Sequence, residues 1–266
     1  MRAVGIVAKA RLERAASHLA GIAAWLETRH LTPVFDPDTA ALARSAGANG
    51  LFTTVDPDEL PRHVDLVVVL GGDGTLLGTA GRIAKAEADI PILGVNFGSL
   101  GFLTEVTLPE LYASLETAVN GTAQIEERMM LRVTVGAVGQ PAVERIVLND
   151  VVVTQGALSR IIELSVSVDG EFMMRVKADG LTITPIAPHT LTNRPVVVPG
   201  SSEIRIQPLI HDDQSEVFAT FDGQALMPLK SEHVVTVRRA PRPLRLVRAS
   251  ARGYFQVLRE KLKWGG

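Results

Sequence analysis

The stretch VVVLGGDGTLLG, residues Val67–Gly78, runs from an apolar segment through a glycine-rich turn into a segment of helical period. An apolar run without alternation reads as a buried strand, and buried strands that alternate with helices form parallel sheets. Asp73 stands in the turn directly after that strand. Open α/β sheets take their ligands outside the carboxyl ends of the strands, so this position favours a site.

Working outward, AVGIVA (Ala3–Ala8), LTPVFD and PILGVNF read as further strands. After the first, Leu12, Ala15, Leu19, Ile22 and Leu26 recur at the three- and four-residue spacing of a helix face. LPELYASLETAVNG (Leu108–Gly121) reads as another helix. Beyond it the texture changes to alternating β-branched segments, among them LRVTV, RIVLNDVVVT, IIELSVSVDGEFMMRVKADG and HVVTVRRA. Asp169-Gly170, Asp179-Gly180 and Asp222-Gly223 mark tight turns between antiparallel strands. ARGYFQVLREKLKW (Ala251–Trp264) returns to helical period and is expected to pack back on the first half. The fold class is therefore α/β plus all-β. A Rossmann-like nucleotide domain spans residues 1–128, completed by 240–266, and a β-sandwich-like domain spans 129–239.

The 266 residues, 46% hydrophobic and 21% charged, suffice for two domains of ordinary size. A net charge of −2 gives no electrostatic reason for a nucleic-acid or membrane partner, which leaves a small molecule as the ligand class. Without cysteine there are no disulfides, thiolate metal sites or cysteine nucleophile. Arg11, Glu13 and Arg14 interrupt the opening segment, so a cytoplasmic location is expected.

Gly71, Gly72 and Gly74 permit positive φ and close approach of a ligand, and Thr75 is placed to cap the following helix, a combination that suits phosphate. Neither standard phosphate fingerprint fits, since no Lys-Ser/Thr pair follows and the last position of a G-x-G-x-x-G from Gly72 is Leu77. With no Lys or Arg in the turn, phosphates would be neutralised by helix amides and a divalent cation such as Mg²⁺. Asp73 then either holds that cation or accepts a proton from an attacking hydroxyl; the plain alternative is a local turn hydrogen bond.

GGDGTLL, GVNFGSLGFLTE (Gly94–Glu105), LND (Leu148–Asp150), KADGL, PIAPHTLTNRPVVV (Pro185–Val198), FDGQ and YFQVLREKLKW together resemble the bacterial NAD kinases, in order and over nearly the whole chain. The resemblance implies transfer of the γ-phosphoryl group of ATP, or of polyphosphate, to the 2′-hydroxyl of the adenosine ribose of NAD, giving NADP. It implies that Asp73 activates that hydroxyl and that Gly72 and Gly74 face phosphate. It also implies that Phe102 lies near the adenine, that Asn149 and Asp150 hold the diphosphate and ribose side, and that Asp179 lies on the NAD-binding face. A homodimer or homotetramer is implied too. Taken alone, Phe102 suits a core aromatic, Asp179-Gly180 an ordinary hairpin, and His189 a structural hydrogen bond.

One departure stands out. After ADGL the family pattern continues through an STPTGSTAYSLSAGGP-like segment that grips NAD, whereas here Leu181 runs directly into TITPIAPHTL. Two other functions therefore compete: a nucleotide-binding remnant impaired by that loss, and a lipid or sugar kinase of the diacylglycerol-kinase-like superfamily that shares the GGDGT turn.

Overall fold

The computed structural model describes residues 1–48, 50, 52–98, 101–137, 139–156, 161–185, 196–210, 216–248 and 259. His189 and, apart from residue 259, the helix expected over Ala251–Trp264 lie outside these. The chain divides into two compact units, Met1–Arg128 with the stretch from Leu244 onward, and Met129–Pro243.

In the first unit strands and helices alternate: β1 (Ala3–Ala8), α1 (Ala16–Glu27), β2 (Thr32–Phe35), α2 (Pro37–Ser45), β3 (Thr53–Thr54), β4 (Leu66–Gly71), α3 (Asp73–Lys85), β5 (Pro91–Asn96), α4 (Leu111–Val119) and β6 (Gln124–Arg128). All six residues of β4 are buried, as a strand covered on both faces requires. α1 buries Leu19, Ile22, Ala23 and Leu26, the spacing read from the sequence. The short α2 starts where Asp36 accepts the Thr39 N–H at 2.8 Å and Pro37 takes the first helical position, a start with both signals of a helix N-terminus.

The second unit is all-β: β7 (Leu131–Ala137), β8 (Val143–Val147), β9 (Val151–Gln155), β10 (Ile162–Val168), β11 (Glu171–Ala178), β12 (Gly180–Ile183), β13 (Ile204–Pro208), β14 (Val217–Phe221), β15 (Ala225–Leu229) and β16 (His233–Arg239). They form a six-stranded sheet, β11-β10-β13-β16-β7-β8, and a four-stranded sheet, β12-β9-β14-β15. Val133, Val135, Leu164 and Val235 from the first share one core with Val153, Val217, Ala219 and Phe221 from the second, so the two sheets face each other. RIVLNDVVVT, read as one segment, is two strands in different sheets, broken at Leu148–Asp150. Asp169-Gly170 and Asp222-Gly223 have φ of 53°, 86°, 52° and 65°, the backbone of tight hairpin turns. Asp179-Gly180 is not a hairpin: β12 pairs with β9, so the chain there passes from one sheet to the other.

β17 (Leu244–Arg248) returns to the first unit and inserts between β5, to which it is parallel, and β6, to which it is antiparallel. The first sheet therefore runs β3-β2-β1-β4-β5-β17-β6. Its direction of winding reverses between β1 and β4, the point at which open α/β sheets leave a crevice. Among the described residues no helix is long and apolar enough to cross a membrane.

Candidate active site

β4 ends at Gly71 and α3 begins at Asp73, so Gly72 alone makes the corner, extended at φ −126° and ψ −175°. None of Gly71, Gly72 and Gly74 adopts positive φ, so the turn makes no use of the left-handed backbone they permit. What these glycines supply is room. A Cβ on Gly72 or Gly74 would meet nothing within 4 Å, which leaves the corner open to an incoming group. Thr75 is not the cap either, because Asp73 and Gly74 are already helical; Gly72 holds the cap position, and the Thr75 N–H donates to its carbonyl at 3.0 Å.

The half-buried Asp73 carboxylate turns to the loop that follows β5. Oδ1 accepts the Leu103 N–H at 3.1 Å, the Thr104 N–H at 3.0 Å and the Thr104 hydroxyl at 2.9 Å, while Oδ2 accepts the Phe102 N–H at 2.8 Å. These are bonds between the ends of two strands, not the local turn bond of the plain alternative. Gly101 leaves the space for them, since a Cβ there would lie 2.0 Å from Oδ1. Asn96, buried at the end of β5, shapes the start of the same loop by accepting the Gly98 N–H at 2.5 Å. Phe102 is not a core aromatic: 42% of it is exposed, directly beside the carboxylate.

A parallel device occupies the second unit. The Asp222 carboxylate accepts three consecutive amides, Leu148 at 3.0 Å, Asn149 at 2.6 Å and Asp150 at 3.1 Å, and so fixes the break between β8 and β9. The Asp222 N–H returns a bond to the Asp150 carbonyl at 3.0 Å, and the Thr184 hydroxyl donates to the Asn149 carbonyl at 2.7 Å. The Asn149 side chain is left exposed. Burial, and secondly the charge of Asp222, push the Asp150 carboxyl above its ordinary range. Asp179 is exposed at the start of β12; its carbonyl accepts the Gln155 N–H at 3.2 Å and its carboxylate takes a long bond from the Gln155 side chain at 3.4 Å.

Beside the corner lies a cavity of about 350 Å³ whose walls include Lys9, Asp36, Asp38, Gly74, Thr75 and Arg82. Asp36 is buried and its carboxyl is pushed up, chiefly by that burial. Lys9 and Arg82 are absent from the residues singled out in the sequence, where Asp222 figures only as a turn residue and in the FDGQ motif. Lys9 was findable, because it directly follows β1 and so stands at a strand's carboxyl end. Arg82 was not, since only the packing of α3 shows which of its faces is open.

Two family models match the chain: ATP-NAD kinase N-terminal domain over residues 4–123 and ATP-NAD kinase C-terminal domain over 181–249. The NAD kinase of Geobacter sulfurreducens is 43% identical over 292 aligned positions, covering 100% of this chain and 99% of that protein. That of Geotalea daltonii is 41% identical with the same coverage. Since the first alignment takes in all 266 residues, 26 of its 292 positions face a gap in this chain. Leu181 itself lies in β12, paired with β9 at the edge of its sheet. Among solved structures, yeast NADH kinase complexed with NADH superposes with a TM-score of 0.82 at 20% identity, over 100% of this chain and 88% of that one. An NAD kinase from Archaeoglobus fulgidus in complex with ATP gives 0.68 at 20% identity, over 99% and 100%.

Proposed function

The chain belongs to the ATP-NAD kinase family, and on that premise we propose that it transfers the γ-phosphoryl group of ATP to the 2′-hydroxyl of the adenosine ribose of NAD, with Asp73 as the proton acceptor. The observation that carries the residue assignment is the asymmetric bonding of Asp73. Oδ1 has three donors and no capacity for a cation, whereas Oδ2 has one and keeps a lone pair. This argues against bidentate metal binding and leaves Oδ2 open to a single partner, the hydroxyl proton in this proposal. As the ribose oxygen bonds to the γ-phosphorus and the bond to the bridging oxygen of ADP breaks, the hydroxyl proton passes to Oδ2. Such general-base assistance is worth about 10²–10⁴ in rate.

The remaining assignments belong to the same proposal. Phe102 offers an exposed ring beside the base for the adenine. Asn149 and Asp150, presented on a turn locked by Asp222, hold the diphosphate and ribose side, and Asp179 lines the NAD-binding face. Gly72, Gly74 and Thr75 border the phosphates. A divalent cation fits as a group carried by the donor's phosphates: among the described residues no three His, Cys, Asp or Glu cluster as a ready cage, and Mg²⁺ commonly takes only one or two carboxylates beside phosphate oxygens. Its contribution would be charge neutralisation at the phosphates. Exposed Phe172 on the edge strand β11 and Leu226 on the edge strand β15 support a homodimer or homotetramer, testable by light scattering. A cytoplasmic location completes the proposal.

The full-length relatives do not favour the two rival functions, the lipid or sugar kinase and the impaired remnant. The test is incubation of the purified chain with NAD and MgATP, with NADP read by a coupled NADP-dependent dehydrogenase. NADP accumulation supports the assignment; phosphorylation of a lipid or sugar but not of NAD overturns it, and ATP binding without any transfer identifies the remnant.

A further inference from the structure

We propose that Arg248 and Glu105 are positioning residues for Asp73: their ion pair ties the segment that holds its carboxylate to strands β17 and β6, and so sets where that carboxylate points. The inference rests on the assignment of Asp73 as the proton acceptor above. It starts from the origin of the carboxylate's four hydrogen bonds. All come from Phe102, Leu103 and Thr104, and Glu105 is the next residue.

The sheet brings Arg248 to this segment. The Val106 N–H donates to the Gly94 carbonyl at 3.2 Å, and the Val106 carbonyl accepts the Asn96 N–H at 2.7 Å, so the segment runs beside the end of β5. β4 occupies one edge of β5 from Ile92 to Asn96, which places Val106 on the other edge, where β17 pairs with Pro91 and Ile92. β17 and the residues around Val106 thus take successive stretches of one edge, and Arg248, the last residue of β17, meets Glu105 there. Across β17 and β6, Arg248 stands opposite Gln124 and Leu246 opposite Glu126, so Arg248, Glu126 and Arg128 share a face. A chain of alternating charge results. Glu105 pairs with Arg248 Nη1, Arg248 Nε lies 2.9 Å from Glu126, and Glu126 lies 2.8 Å from Arg128 Nε. The Arg248 fork reaches two carboxylates on different elements, a task for a guanidinium and not for a point charge.

Stability does not account for the pair. Glu105 is only 7% exposed, and withdrawing a carboxylate from water is so costly that apolar residues in such a place are often as stable as the ion pair. What the ion pair adds is a fixed separation and direction between two elements. Thr104, fully buried, gives Asp73 Oδ1 both its N–H and its hydroxyl, and one stiff, planar peptide unit joins it to Glu105. A displacement of Glu105 is therefore passed directly to the Asp73 carboxylate.

The experiment uses the full chain and compares Arg248→Met with the double variant Glu105→Gln/Arg248→Met. Arg248→Met leaves a buried carboxylate without this cation, so it should lower the melting temperature and speed hydrogen exchange at the Phe102–Thr104 amides about tenfold or more. At saturating NAD, kcat for NADP formation should fall about tenfold or more, with KM for ATP unchanged within about twofold. Exchange at Leu148–Asp150, held by Asp222 in the second unit, should not move. Adding Glu105→Gln removes the orphaned charge, so the melting temperature should recover; the tie is still absent, so kcat and the exchange rate should not. A merely structural role predicts that kcat recovers together with the melting temperature, and that result overturns the proposal. In an Asp73→Asn background, Arg248→Met should cost no more than about a further twofold in kcat, because it acts through the carboxylate already removed; losses that multiply also overturn it. Arg245→Gln is the control, since Arg245 lies on the same strand but pairs with the exposed Asp89 at 3.4 Å, and it should match wild type; an equal loss there removes Arg248 from its special place. If Asp73→Asn alone turns over like the unaltered chain, the base assignment falls, while faster exchange at Phe102–Thr104 in Arg248→Met still establishes the tie. Wild-type exchange there, with Asp73→Asn inactive, sinks the tie and spares the base.

Discussion

Gly101→Ala is the sharpest structural test of how Asp73 is held. A methyl group at Gly101 would lie 2.0 Å from Asp73 Oδ1 and 2.3 Å from Thr104 Oγ1, against carbon–oxygen contacts of about 3.3 Å in folded proteins. More than an ångström of space must open, and the atoms in the way are the carboxylate and one of its own donors. Relief by rotating Asp73 outward breaks the three bonds to Oδ1; relief by moving the loop displaces Phe102 along with Thr104. Bonds to a charged group contribute about 1.5–3 kcal/mol each, and partial relaxation recovers some of that, so a loss of about 2–4 kcal/mol in unfolding free energy is expected. An ångström of misplacement at a reacting group costs about 10²-fold in rate. Urea denaturation gives the first quantity and NADP formation at saturating ATP and NAD the second. Gly98→Ala is the companion variant: its Cβ would find its nearest neighbour at 4.0 Å, so stability should hold within about 0.5 kcal/mol and kcat should be unaltered. If Gly101→Ala turned over within about threefold of wild type, the bonded carboxylate would not be the working geometry.

Gly74→Ala adds a methyl group where nothing lies within 4 Å, inside a helix, so a thermal melt should show stabilisation of about 0.5–1 kcal/mol while KM for ATP rises; an unchanged KM would remove Gly74 from the phosphate path. Asp222→Asn turns an amide donor toward one of the three N–H groups of Leu148–Asp150, which should raise KM for NAD about tenfold and leave KM for ATP alone; equal effects on both substrates would contradict a role confined to NAD. For Asp36, burial raises the folded carboxyl above its ordinary 3.8, so the native state keeps a proton that the unfolded chain has released, and the stability this contributes is present below that value and lost as pH rises through the raised one. Asp36→Asn retains the helix cap without the ionisation, so its stability relative to wild type should climb from acid pH toward neutrality in urea titrations; a flat or falling difference would refute the buried-carboxyl account.

The α/β half was legible because its signals are local. The unbroken apolar run of β4 and the three- and four-residue spacing in α1 each specify one element without reference to the rest. Strands set by partners were not. β17 is a short strand whose place between β5 and β6 follows only from the sheet it joins, and the division of RIVLNDVVVT between two sheets depends on Asp222, more than seventy residues away. The site divides in the same way. Asp73 and its glycines are a contiguous motif, readable in order. Their mechanics were not readable, since whether the glycines provide positive φ or space, and whether Thr75 caps the helix, turns on where the helix begins. Gly101 looked like one glycine among several until the position of Asp73 Oδ1 gave it a function.

The most direct measurement is the rate of NADP formation by Asp73→Asn at saturating ATP and NAD. Asparagine keeps an oxygen for the Leu103 and Thr104 donors and loses only the bond from the Phe102 N–H, so the fold and KM for ATP should survive and KM for NAD should rise by no more than about tenfold, while the proton acceptor is gone. A fall in kcat of about 10²–10⁴ is the expected result. Turnover equal to that of the unaltered chain would mean that the proton leaves the ribose by another route and that the aspartate at the end of β4 only ties two loops together.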